Sequence, residues 1–193
     1  VGSQTHDQFR QKKDGIHMKD NLIFIGMPAV GKSTVGIVVA KRLGKRFVDT
    51  DLLIQEQEKK LLREIIAEVG DDGFLAIENQ VNREVNAENS VISPGGSVIY
   101  CEEAMKHYKE IGTVVYLKAS YQTIKKRIRN PQKRGVVLRE GQSLRDLYNE
   151  RVPYFEKYAD ITVCEDGCRI EETIENVINA VSEYRVSGPK TKK

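Results

Sequence analysis

No stretch of this 193-residue chain stays apolar for the ~20 residues that a membrane span needs. No apolar segment with a small-residue cleavage site opens it, so it reads as non-secreted. Cysteine is scarce. Cys101, Cys164 and Cys168 are an odd count without framework spacing, which excludes a disulfide scaffold and points to reduced thiols in a cytoplasmic setting. Cys164 and Cys168 lack the further Cys or His cluster that would complete a metal site. Internal repeats and long linkers are also missing. Hydrophobic residues make up 39% of the chain and charged residues 31%, which fits a single α/β domain with a real core.

A strong charge of one sign is lacking too. The formal net charge of +3 sits at the ends: residues 1–20 carry four basic and three acidic side chains, and residues 185–193 carry four basic and none acidic. The body between them has 23 basic and 25 acidic residues, about −2 in all. Residues 185–193 therefore read as a solvated basic tail rather than a nucleic-acid arm. Residues 1–17 are polar and aperiodic and read as a processed or expression-derived leader, which leaves 18–184 as the working domain. The expected partner is a small molecule, with no nucleic acid and no membrane, and the expected state is a monomer.

That body alternates short apolar runs with helical stretches. Leu22–Ile25, Arg46–Val48, Val91–Ser93, Thr113–Leu117 and Ile161–Cys164 read as strands. Helices are predicted over Thr34–Leu43, Leu52–Val69, Asp71–Ala87, Glu102–Glu110, Tyr121–Arg129, Leu144–Tyr158 and Ile170–Tyr184, with a polar basic loop over Asn130–Gln142. Apolar runs of three to five residues separated by helices indicate a buried parallel sheet. Right-handed crossovers would then gather ligands along the edge formed by the strand C-termini.

The strongest motif lies on that edge. Gly26 to Thr34, GMPAVGKST, fits G-x-x-x-x-G-K-[ST], follows a strand and opens a helix. Small residues let backbone N–H groups curl around phosphate oxygens, and the helix N-terminus adds the positive end of its dipole. Lys32 would reach the β- and γ-phosphates, and the Ser33 hydroxyl is placed for Mg²⁺. The motif announces a nucleoside triphosphate without choosing among kinase, GTPase and motor.

Four weaker features follow it. Asp49-Thr50-Asp51 ends the second strand, and two carboxylates two apart on an extended segment point the same way. One can hold Mg²⁺ through water while the other orients or deprotonates a hydroxyl; a capping Asp beside a surface Asp is the plainer alternative. Gly95-Gly96 after the third strand allows close approach of backbone to a ligand, or makes a simple turn. Arg127, Arg129, Lys133 and Arg134, with Gly135 and Gly141, form either a mobile lid that brings arginine to a phosphoryl group or a solvated charge run. Arg151-Val152-Pro153-Tyr154 is either a site arginine or a surface arginine beside a helix-bending proline.

Taken together, the phosphate loop, D-T-D, the Gly-Gly turn, the basic lid and R-x-P-x-Y followed by Ala159-Asp160 resemble the shikimate kinase family over nearly all of Asn21–Tyr184. The resemblance implies a three-layer P-loop kinase fold: a five-stranded parallel sheet flanked by helices, with a mobile lid near 130–142. It implies ATP, Mg²⁺ and transfer of the γ-phosphate to a hydroxyl of shikimate, a step of aromatic amino acid biosynthesis. By motif position, Ala29, Val30, Gly31, Lys32, Ser33 and Thr34 would bind phosphates, with Ser33 on Mg²⁺ and Asp49 in its outer shell. Asp51 would hold the acceptor hydroxyls and act as base. Gly95 and Gly96 would meet the acceptor through backbone, and Arg151 would pair with its carboxylate. Arg134 would be the lid arginine and Arg127 would lie near the adenine.

Two positions depart from the family. Its F-R-x-x-E string is here Phe74-Leu75-Ala76-Ile77-Glu78, so a second carboxylate ligand becomes Leu75; its three glycines become Gly95-Gly96-Ser97. Phe74, Ile77, Val81 and Val85 form the apolar stripe of that helix, and Leu75 lies off it beside Glu78, Asn79 and Asn82. Leu75 either fills space or lines a pocket for another polyol, sugar acid or nucleotide-like alcohol. Arg63 and Arg83 are the candidates for making good the lost charge. A nucleotide-binding module without catalysis is the reading from another class, and retention of Lys32, Ser33, Asp49, Asp51, Arg134 and Arg151 weighs against it.

Overall fold

A computed structural model describes residues 20–128, 138–139 and 141–188. Five strands are formed by β1 (Asn21–Ile25), β2 (Arg46–Asp49), β3 (Ser90–Ser93), β4 (Gly112–Lys118) and β5 (Ile161–Cys164). They pair in parallel in the order β2-β3-β1-β4-β5. The helices are α1 (Lys32–Arg42), α2 (Thr50–Glu58), α3 (Leu62–Arg83), α4 (Glu102–Ile111), α5 (Tyr121–Arg127), α6 (Leu144–Tyr158) and α7 (Ile170–Ser187). A single 3₁₀ turn spans Val98–Tyr100.

The order of the strands decides where the helices go. The chain moves one way along the sheet from β1 to β2, and the other way from β2 through β3 and β4 to β5. Right-handed crossovers place helices on opposite faces when the direction reverses. Accordingly α1 packs on α7 and β3, while α4 and α6 pack on β4 and α3 packs on α4. β1 and β3 are neighbours whose chains leave in opposite directions, and the crevice at their C-terminal ends is the place where such sheets bind ligands. All of β1 and β3 is buried, as continuous apolar runs in a two-sided sheet require.

The segment after β2 differs from its sequence reading. A break falls at Lys59, in the left-handed region with φ 55, so α2 ends at Glu58 and α3 starts at Leu62. Gly70, non-helical at φ 71 and ψ −179, kinks α3 into two helical pieces at the position where the sequence reading set a helix boundary. Helix α3 also buries two faces. Phe74 and Val81 pack with Ile54 and Ile65 in a small second cluster, while Leu75, and Val85 just beyond the helix end, join the main core.

One polar residue ties the bottom of the sheet. Asn21 is 3% exposed. Its Nδ2 donates to the carbonyls of Ala87 at 2.6 Å and Ile111 at 3.0 Å, and its Oδ1 accepts from the Ser90 N–H at 2.9 Å. The start of β1 is thereby fixed to the starts of β3 and β4. Asn21→Leu would leave three buried backbone groups unpaired and should cost roughly 3 kcal/mol, read as a lower urea midpoint with an unchanged slope.

Candidate active site

The loop after β1 has the backbone of an anion cradle. Ala29 at φ 62 and Gly31 at φ 111 both take the left-handed conformation, and Val30 N–H closes a turn onto the Met27 carbonyl. Helix α1 starts at Lys32, directly behind this turn. Lys32 Nζ bends over the loop and donates to the Gly26 carbonyl at 3.0 Å and the Met27 carbonyl at 3.4 Å. Burial pushes its ammonium down to about 8, against the pull of Asp51 and Asp49.

Asp49 and Asp51 do not share an extended segment. Asp49 ends β2 and caps α2, its Oδ1 accepting from the Asp51 N–H at 3.1 Å, so Asp51 falls in the first helical turn. The strand gives way because a short acidic side chain at this point captures the next turn's N–H. Both carboxylates still line one cleft with Lys32, Ser33 and Glu78. Ser33 Oγ donates to Asp49 Oδ2 at 2.8 Å and stands 3.4 Å from Ser93 Oγ. These are hard oxygen donors, and a hydroxyl with an outer carboxylate suits Mg²⁺, which keeps waters and phosphate oxygens in its shell. Among the described residues no cluster of three or more His, Cys, Asp and Glu could hold a metal ion by itself, and Cys164 and Cys168 are free thiols.

Each glycine of the Gly95-Gly96 turn is required by a neighbour. A Cβ on Gly95 would stand within 3.0 Å of Glu78 Oε1 and Asp51 Oδ1; one on Gly96 would stand 3.0 Å from Pro28 Cδ and 3.1 Å from Arg151 Nη1. Arg151 reaches this turn from α6. Ser143 and Asp146 form a reciprocal capping box that starts α6 at Leu144, and Arg151 follows two turns later. It is 4% exposed, and its Nε donates to Tyr100 Oη at 3.4 Å. Leu75 and Arg151 line an adjoining pocket with Tyr100, Glu150 and Arg139. Arg63 and Arg83 are elsewhere: Arg63 is exposed, and Arg83 pairs with Glu103 at 2.9 Å.

Arg127 takes a position behind the loop. Its Nη1 donates to the Val30 carbonyl at 2.8 Å and to Glu165 Oε2 at 2.7 Å. Thr34, by contrast, is exposed on the first turn of α1. Arg129, Lys133, Arg134 and Gly135 lie outside the described residues, as do most of the proposed lid and residues 1–19 and 189–193.

Two acids of this edge went unread in the sequence. Glu165 follows β5 directly, the strand end where ligand groups gather, and is 3% exposed with Oε1 unpartnered among the described residues. Glu78 was visible only as the acid of the F-x-x-x-E spacing. It is fully buried, and among the described residues neither oxygen has a partner of full hydrogen-bond geometry. Burial pushes its carboxyl up to about 7, with Asp51 adding to the rise; Ser97, Arg151 and Lys32 oppose it.

That shift has a stability consequence. The folded protein holds the Glu78 proton that the unfolded chain releases near 4.5. The group's contribution is therefore full below that pH and is lost as pH rises through about 7, by up to ~3 kcal/mol. Asp51, Lys32, Arg151, Cys101 and Tyr108 surround it in parent and variant alike. Glu78→Gln should lose less stability than the parent between pH 5 and pH 8 in urea titrations. A parent-to-variant difference that ignores pH would mean Glu78 is already ionised in the fold.

Comparison with known proteins fits this geometry. The family model described as shikimate kinase matches residues 28–182. A shikimate kinase of Thermodesulfovibrio yellowstonii is 33% identical over 89% of this chain and 99% of its own length. A part of the Macaca fascicularis protein named threonine synthase-like 1 is also 33% identical, over 86% of this chain and 23% of that protein. The solved shikimate kinase of Aquifex aeolicus superposes with a TM-score of 0.73 at 27% identity, covering 87% of this chain and 99% of that one. The matched stretch runs from the phosphate loop into the last helix, and the chain belongs to the shikimate kinase family.

Proposed function

We propose that this protein is an ATP-dependent kinase that transfers the γ-phosphate of ATP to a hydroxyl of shikimate, acting as a monomer in the cytoplasm. The observation that carries the reading is a pair of adjoining cavities that share Phe74 and Ser97 in their walls. One runs from the phosphate loop past Asp51 to the Gly95-Gly96 turn, and the other holds, behind that turn, a buried guanidinium at Arg151 that forms no ion pair with any Asp or Glu among the described residues. A phosphate chain at one end and a carboxylate at the other would leave an acceptor hydroxyl beside Asp51.

In this reading, backbone N–H groups of Ala29 to Thr34 cradle the triphosphate, and Lys32 leaves the Gly26 and Met27 carbonyls to meet the β- and γ-phosphates. Ser33 and Asp49 would hold Mg²⁺, which screens the charge of the phosphates. Asp51 accepts the acceptor's hydroxyl proton as that oxygen bonds to the γ-phosphorus and the bond to the bridging oxygen of ADP breaks. Its carboxyl is pushed up to about 6, by burial first and by Asp49 second, which makes it a stronger base than an exposed aspartate while largely ionised near neutral pH. Gly95 and Gly96 admit the acceptor against backbone, and Arg151 pairs with its carboxylate. Arg127, tied to Val30 and Glu165, borders the adenine side, and Arg134 is the lid cation on the phosphates.

Leu75 supports a second reading. An apolar side chain on the pocket wall, where the family carries arginine, suits another small polyol or sugar acid as acceptor. A module that binds nucleotide without catalysis is disfavoured by the intact Lys32, Ser33, Asp49 and Asp51.

ADP release from ATP and Mg²⁺ should be measured with shikimate and with a panel of polyols and sugar acids. Shikimate should give the highest kcat/KM; a preferred acceptor from the panel would favour the second reading. Lys32→Ala should lower turnover by about 10²–10³. Asp51→Asn should collapse kcat with ATP affinity little changed, whereas weakened ATP binding at unaltered kcat would make Asp51 a metal-shell residue.

A further inference from the structure

The acceptor pocket lacks the cation that α3 supplies elsewhere in the family. Leu75 occupies that wall, and Arg151 faces the pocket without a carboxylate partner among the described residues. Yet the same pocket is lined by one more guanidinium, that of Arg139, which reaches it from the segment before α6.

The backbone of Arg139 is held more firmly than a loop arginine requires. Gln142 N–H donates to the Arg139 carbonyl at 2.9 Å, and Arg139 N–H donates to Gln142 Oε1 at 3.2 Å. Gln142 Nε2 in turn donates to Glu150 Oε2 at 2.8 Å. One glutamine thus brackets Arg139 against α6, beside the residue that precedes Arg151.

Its charged head, in contrast, has only one weak acidic contact among the described residues. Asp71, Asp72 and Glu150 line the same pocket, and among the described residues the acid within ion-pair reach of it is Glu150, whose Oε1 already accepts from Tyr100 Oη at 2.7 Å. Arg139 Nη1 stands 3.9 Å from that oxygen, and the side chain is 69% exposed. An ion pair this long and this solvated contributes little, so the fork of donors remains available.

We infer that Arg139 is the second cation of the acceptor-carboxylate site, taking over from the loop side the role that Leu75 removes from α3. The inference rests on the reading of the acceptor as a hydroxy acid. It makes Arg139 a specificity-determining residue: acceptors with a carboxylate at that end of the cleft are preferred, and their neutral analogues lose the preference. The contact is paid for by ordering an exposed side chain, so its effect is smaller than that of a buried arginine.

The test is steady-state kinetics with shikimate and with its carboxamide. Arg139→Gln should raise KM for shikimate about 10-fold, with kcat and the KM for ATP nearly unchanged. The carboxamide should show no such rise. Leu75→Arg placed in the Arg139→Gln background should recover most of the loss, since it restores a cation from the other wall. An unchanged shikimate KM in Arg139→Gln, or an equal rise with the carboxamide, overturns the role of Arg139 while leaving the kinase reading intact. A parent that does not turn over shikimate overturns the acceptor assignment and this inference with it.

Discussion

The working edge of this molecule depends on how closely the chain leaving β1 crosses the end of β4. A Cβ on Gly26 would stand 2.6 Å from the Leu117 carbonyl oxygen and 3.1 Å from Val30 Cγ1, and Gly26 itself has φ 150. Only glycine lets the turn lie this low on the sheet. With that approach made, the next residues can take the left-handed conformations at Ala29 and Gly31 that aim N–H groups inward. The loop is then held from its far side by Arg127, whose guanidinium joins the Val30 carbonyl to Glu165 after β5. Three strand ends therefore fix one anion cradle.

Asp49 couples this cradle to the acceptor side. One of its oxygens caps α2 and the other receives the Ser33 hydroxyl. A capping aspartate and a site aspartate are thus the same residue, and the two readings of D-T-D were never exclusive. The cap determines that Asp51 sits in the first turn of α2, where Gly95 allows its carboxylate to stand beside Glu78.

The sheet was legible because its three inner strands, β3, β1 and β4, are buried on both faces and so appear as short apolar runs, while the edge strand β5 alternates buried and exposed; Leu144–Tyr158 and Ile161–Cys164 match to the residue. The break at Lys59 was not, since a lysine in the left-handed region carries no sequence signal of the kind a glycine gives. Periodicity placed Leu75 off the apolar stripe, but it could not reveal that α3 buries a second, polar face through Glu78 and Asn82. The phosphate loop declared itself through spacing that backbone geometry demands. Glu78, Glu165 and Arg139 did not, because burial of an acid, or the bracketing of an arginine by a distant glutamine, is a property of tertiary packing.

Leu75 and the proton on the retained Glu78 are best understood together. A buried carboxylate without an arginine on its own helix to pair with can find another donor or keep its proton, since leaving the charge unpaired costs several kcal/mol. Among the described residues Glu78 has no fully formed donor, and its carboxyl is pushed up to about 7. In its neutral form the cleft holds Asp49 and Asp51 against Lys32 and Arg151, an even balance before any ligand enters. An arginine at position 75 would draw that proton off and restore an ion pair inside the wall; leucine is the side chain a neutral acid tolerates. The cost of that exchange is a missing cation for an acceptor carboxylate. It falls to be met at the rim, where Arg139 can carry its charge in water until an anion arrives, without disturbing the balance of the buried groups.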